Sequence, residues 1–281
     1  SAIPFYGYLS GNISNILYLF IAIGILTTLS KKINIIRLGL ILIAIPSLFK
    51  IHMILFMIVP IIYVPNTEIK KILILIIAPF LMILMNKYLY PNEFELLKSN
   101  IKILPYVGDM GVGSMQFINY LNSNILNISE SFKSGKHNWE ISSSEIKNGK
   151  FIFDYILYLI LLTFITFKTY SLRFRKLSLN LKTDMNLKVS IALIATLIII
   201  PRLKQYDMLL FSIPTFYLVN SSLFNDSIKN LFNNLNPNYI VQLFNILVLG
   251  FYVVSGDNYF IYPLIFIIYV LCIRKFKKDN I

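Results

Sequence analysis

Long apolar runs recur along this chain from end to end, and all but one of the polar stretches between them are short. Nine runs are read, at about 12–29, 37–49, 51–65, 72–86, 151–167, 189–201, 208–222, 239–256 and 259–273. The chain is 57% hydrophobic and 14% charged, with a mean hydropathy of +0.70. A soluble domain averages roughly 45–50% and 25%. The expected fold is all-α: a polytopic membrane protein of about nine transmembrane or re-entrant helices. Residues 1–281 form a single membrane domain with one extracytoplasmic insert, the loop at 87–150.

Several runs fall short of the ~20 residues a full span needs. A helix of 13–15 residues covers only about 20–22 Å. The runs 37–49 and 51–65 are separated by Lys50 alone, which suggests a re-entrant or broken hairpin. Such elements exist at membrane depth where protein buries them or where they line a polar cavity.

The net charge of +13 raises the possibility of a nucleic-acid partner, but the placement of the charges argues against one. With the C-terminal "RKFKKDN" in the cytoplasm, alternation of the spans puts 16 of the 26 Lys and Arg residues inside, with only four acids. The opposite side receives 10 basic and nine acidic residues. That asymmetry follows the positive-inside rule and fixes the orientation. The abundance of Ile, Asn and Lys points to an AT-rich genome, so a bacterial plasma membrane is the expected location.

The sole cysteine, Cys272, excludes an intrachain disulfide and a CxxC motif. His52 and His137 lie far apart, and no ligand set with metal spacing is read. "GDMGVGS" lacks the strand and helix context of a dinucleotide loop, so no cofactor is expected. The chain opens Ser-Ala-Ile-Pro, with neither a Met nor a basic stretch of the signal-peptide kind.

Three polar clusters share the extracytoplasmic side in this topology. The first is Gly11-Asn12-Ile13-Ser14-Asn15, where Asn12 either contacts a ligand or caps the first helix. The second is Lys50 with His52; Lys50 either snorkels to headgroups or meets a phosphate in a cavity. The third follows Pro201: Arg202, Lys204, Tyr206 and Asp207. Asp207 either caps the next helix or orients a polar substrate with Tyr206, and Arg202 and Lys204 either face headgroups or bind a lipid phosphate. Ionisable groups near the apolar core cost roughly 2.5–3.5 kcal/mol each on insertion scales, so each calls for a reason.

Taken in order, these clusters resemble glycosyltransferase family 87, polyprenol-phosphate-sugar-dependent enzymes of the multi-span GT-C fold. The matching positions are Gly11, Asn12 and Asn15 at the opening of a span, then Lys50, then Pro201, Tyr206, Asp207 and Pro214. Ile51 stands where the family usually has Pro after the Lys, and "GVGSMQFIN" loosely matches a polar element of the family's outer loop. The resemblance covers most of 4–220. It implies transfer of a hexose, mannose-like, from a polyprenyl-phosphate donor to a lipid or glycan acceptor. Lys50 and Arg202 would take the phosphate, with Lys204 assisting. Tyr206 and Asp207 would orient hydroxyls, with Asn12 at the same mouth. Asp207 is the catalytic-base candidate within the chain, although an orienting role suits it better. The family's presumed base lies in an earlier loop without a counterpart here, so the chain is expected to be the C-terminal part of a longer enzyme.

Three other readings are weighed, one of them a purely structural membrane subunit, which would leave the aligned polar clusters without a common purpose. An O-antigen polymerase or ligase type of enzyme predicts arginines in the insert, and 87–150 contains none. A transporter or flippase predicts mid-span charges and an inverted repeat, and neither is read.

Overall fold

The computed structural model describes residues 14–92, 94–95, 113–122, 152–176, 180–201, 209–231, 236–253 and 261–274. Among them the regular elements are all helical, with no strand. The first hairpin joins α1 (Ser14–Thr28) to α2 (Ile33–Phe49). A 3₁₀ helix (Ile51–Met57) then runs into α3 (Ile58–Ile61), and α4 spans Asn66–Leu89. The short α5 (Ser114–Tyr120) precedes α6 (Ile152–Ser171) and α7 (Leu181–Ile199). The chain continues through α8 (Leu209–Val219), α9 (Ser222–Leu231), α10 (Pro237–Val253) and α11 (Ile261–Arg274).

Helix α7 is the hub. Asn180 caps its start, its side chain accepting the Lys182 N–H at 2.9 Å. An Asp184–Lys188 pair at 3.0 Å supports the first turns. From Ser190 to Ile200 every residue is buried, and the small Ser190, Ala192 and Ala195 let neighbours approach closely. Helices α6, α8 and α11 and the 3₁₀–α3 segment pack around it. The helix stops at Ile200, whose extended backbone (ψ 122°) is what a following proline imposes.

The direction of each helix follows from bonds at one end of the bundle, here the lower end. Arg173, just after α6, donates to Ile61 O at 2.7 Å and Asn66 Oδ1 at 2.6 Å. Arg37 near the start of α2 and Lys71 in α4 pair with the buried Glu68. So α2 starts at the lower end and Lys50 lies at the upper end. Likewise α6 starts at the upper end, where its Tyr158 meets Ile199 at the end of α7.

Two helices, Asn66–Leu89 and Phe153–Phe174, are long and apolar enough to cross a membrane by length and composition. Only 12% and 17% of their apolar windows are buried, unlike the core helix of a soluble protein. The apolar helices Ile16–Thr28, Ile33–Phe49, Ile51–Ile61 and Tyr262–Ile273 are shorter. Nine apolar runs therefore yield two helices of spanning length among the described residues. The run at 51–65 divides into a 3₁₀ turn, a four-residue helix and a loop.

Candidate functional site

The upper end of α7 is where polar groups converge. A helix leaves its last carbonyls without intrahelical donors, and here other elements supply them. Tyr262, at the start of α11, donates its hydroxyl to Ile198 O at 2.6 Å. Tyr158 donates to Ile199 O at 2.9 Å. Ser114 donates to Ile200 O twice, through its backbone N–H and its Oγ, both at 3.0 Å. The Met115 N–H reaches Pro201 O at 3.2 Å. Four successive carbonyls thus take donors from α5, α6 and α11. The first turn of α5, its leading N–H groups taken up by the Ile200 and Pro201 carbonyls, sits on the negative end of α7, a favourable alignment of peptide dipoles. Phe117 of α5 packs on Tyr262, ring centroids 4.8 Å apart.

One turn before Tyr158 lies Asp154, fully buried. Asn122, just past α5 and also fully buried, donates its Nδ2 to Asp154 Oδ1 at 2.6 Å. Lys50 is half-buried and joins α2 to the 3₁₀ helix. Its backbone is extended (φ −137°, ψ 98°); its N–H donates to Pro46 O at 2.9 Å and its carbonyl accepts the Met53 N–H at 2.8 Å. The lysine is therefore the hinge of the broken hairpin expected from sequence.

Of the residues singled out from sequence, Lys50 and Pro201 are described at the upper end; His52 lies in the 3₁₀ helix, Ser14 and Asn15 open α1, and Pro214 lies within α8. Asn12, Arg202, Lys204, Tyr206 and Asp207 lie outside the described residues, as does most of the insert at 87–150. No set of three or more His, Cys, Asp or Glu side chains fit to hold a metal ion occurs among the described residues.

Sequence reading missed Asn122, Asp154, Tyr158 and Tyr262, and met Ser114 only within the loosely matching "GVGSMQFIN". One signal was available: an acid, Asp154, and a tyrosine four residues on, both at the opening of a long apolar run. Four-residue spacing places both on one helix face, and an acid in such a run is a functional candidate by default.

No protein-family model, curated protein or solved structure matches the chain. Any functional reading therefore rests on the sequence motifs and on the chemistry of this end of the bundle.

Proposed function

We propose that the chain is a polytopic membrane protein with a cytoplasmic C-terminus. We further propose that it is a glycosyltransferase of the GT-C kind, moving a mannose-like hexose from a polyprenyl-phosphate donor to a lipid or glycan acceptor on the extracytoplasmic side. The membrane reading draws support from the outer surface. Helix α1 exposes Ile16, Leu19, Ile23 and Leu26 along one stripe, and α10 exposes Leu243 and Ile246. Apolar surface on this scale suits lipid, since soluble monomers rarely expose contiguous patches beyond a few hundred Å². The lower end carries the exposed Lys31, Lys32, Lys70, Lys176 and Lys182, as a cytoplasmic face does.

One observation carries the enzymatic reading. Lys50 and Pro201, whose sequence neighbourhoods come from distant parts of the chain, end at the same pole of the bundle. In sequence, Pro201 is followed directly by Arg202-Leu-Lys-Gln-Tyr-Asp207. Two cations on separate supports suit a lipid phosphate, whose departing negative charge they stabilise. In this reading Lys50 and Arg202 bind the phosphate and Lys204 assists. Asn12, Tyr206 and Asp207 orient hydroxyls of the sugar or acceptor.

The test is donor binding by the full-length protein in nanodiscs, with radiolabelled undecaprenyl-phosphate mannose. Lys50→Ala and Arg202→Ala are each expected to weaken binding at least about tenfold, or ~1.4 kcal/mol. Unchanged affinity in both variants refutes the phosphate assignment. A wild-type protein that does not bind the donor refutes the glycosyltransferase and leaves the membrane fold standing.

A further inference from the structure

Asn122 Oδ1 finds no hydrogen-bond partner among the described residues, although the side chain is fully buried. Exchanging the amide nitrogen and oxygen does not help. The orphan then becomes a donor, and two oxygens face each other at 2.6 Å. A buried acceptor left unmet is costly, so this atom marks a place where a donor hydrogen belongs. Beside it sits the Asp154 carboxylate.

The depth of the pair is set by Tyr158. It lies one turn after Asp154 on the same face, and its hydroxyl binds Ile199 O. Asp154 is therefore about 6 Å nearer the upper pole along α6, at four residues of 1.5 Å rise. That is the level at which α7 gives way to Pro201. The packing of α5 on α6, and its bonds to Ile200 and Pro201, hold Asn122 against the carboxylate.

We propose that Asp154 is the general base of the transfer and that Asn122 is its positioning residue. The inference rests on the glycosyltransferase reading and names the acceptor class: a polyol or sugar with adjacent hydroxyls. The reacting hydroxyl donates to Asp154, and its neighbour donates to Asn122 Oδ1. In the reaction the acceptor O–H proton passes to the carboxylate. The electron pair of the acceptor oxygen forms the new bond to the anomeric carbon. The bond from that carbon to the phosphate oxygen breaks, and its electron pair leaves with the polyprenyl phosphate. Asp154 then takes the part that the family resemblance gives to a base in an earlier loop, and Asp207 remains an orienting group.

The experiment measures transfer and donor binding separately, on full-length protein in nanodiscs. The donor is undecaprenyl-phosphate mannose and the acceptor probe is octyl α-mannoside, which carries vicinal hydroxyls. Asp154→Asn is expected to lower kcat about 10²–10⁴-fold, the usual contribution of a general base, with donor affinity within about threefold of wild type. The introduced amide oxygen still accepts from Asn122 Nδ2. Asp154→Glu is expected to recover part of the lost rate. Asn122→Ala is expected to lower kcat about tenfold and raise the acceptor KM, leaving the donor KM unchanged. Wild-type transfer by Asp154→Asn overturns the proposal. So does loss of donor binding together with transfer in both Asp154 variants, which would make the aspartate structural. A wild-type protein that binds the donor but leaves octyl α-mannoside untouched overturns the vicinal-diol acceptor and the base with it. Failure of the wild type to bind the donor overturns the glycosyltransferase reading itself.

Discussion

Gly39→Ala is expected to force α1 and α2 apart and to destabilise the protein by about 1–3 kcal/mol, the usual range for overpacking. A Cβ at Gly39 would stand 2.7 Å from Gly24 O and 2.5 Å from Thr27 Oγ1. The first of these is backbone and cannot rotate away. A Cβ at Gly24 meets the mirror-image obstacle, 2.9 Å from Gly39 O and 2.6 Å from Ile43 Cγ1. The two helices cross with their backbones in contact at this glycine pair. In lipid, where no hydrophobic drive pulls helices together, such close packing is a main source of helix association. At roughly 2–4 °C per kcal/mol for a chain of this size, the midpoint of thermal unfolding in detergent should fall by about 2–12 °C. Leu26→Ala, on the exposed face of α1, should leave it within about 1 °C. A wild-type midpoint for Gly39→Ala would mean that the two helices do not approach as described.

The second large effect concerns the collar around α7. The double variant Tyr158→Phe/Tyr262→Phe keeps both rings and removes only the hydroxyls that meet Ile199 O and Ile198 O. Each buried carbonyl deprived of its donor costs about 1–3 kcal/mol, so the pair should cost about 2–6 kcal/mol. The Ser114 Oγ, 3.4 Å from Ile199 O, is too long a contact to replace Tyr158. Both single variants and the double should be compared by thermal unfolding, with Tyr239→Phe at an exposed position as the control. The singles should each lower the midpoint and the double should lower it further. A double variant that melts with wild type would show that these hydroxyls do not hold the end of α7.

The helices were largely legible in the sequence, and their boundaries were not. Hydropathy finds the apolar middle of a helix but not its polar turns. The run read at 189–201 is thus the core of a helix that begins at Leu181, because Asn180, Asp184 and Lys188 extend it through capping and pairing. Helix α9 escaped altogether. It buries Leu223, Phe224 and Ile228 while turning Lys229 outward, a mixed pattern that no apolar-run reading detects. The break at Lys50 was legible, since a charge between two apolar runs, each too short to span, marks the point where one helix stops and the chain turns.

The candidate site was legible only in part. Lys50 and the Pro201 joint stand out as charges or helix breakers in an apolar chain. The collar does not, because its acceptors are the main-chain carbonyls of isoleucines. Its donors lie far off in sequence: Tyr158, Tyr262 and Ser114 are 41, 64 and 86 residues from the carbonyls they meet. Only the fold brings them together. The Asn122–Asp154 pair, 32 residues apart, has the same character.

The most direct test of the account is which side of the membrane each pole faces. Cys272, the sole cysteine, is buried and can be replaced by serine to give a silent background. Single cysteines at Lys136, Lys204, Lys176 and Lys229 are then probed in intact cells with an impermeant maleimide. Positions 136 and 204 should label from outside, and 176 and 229 only after permeabilisation. Labelling of 204 on the same side as 176 would contradict the orientation, and with it an extracytoplasmic site built on Lys50 and the 201–207 stretch.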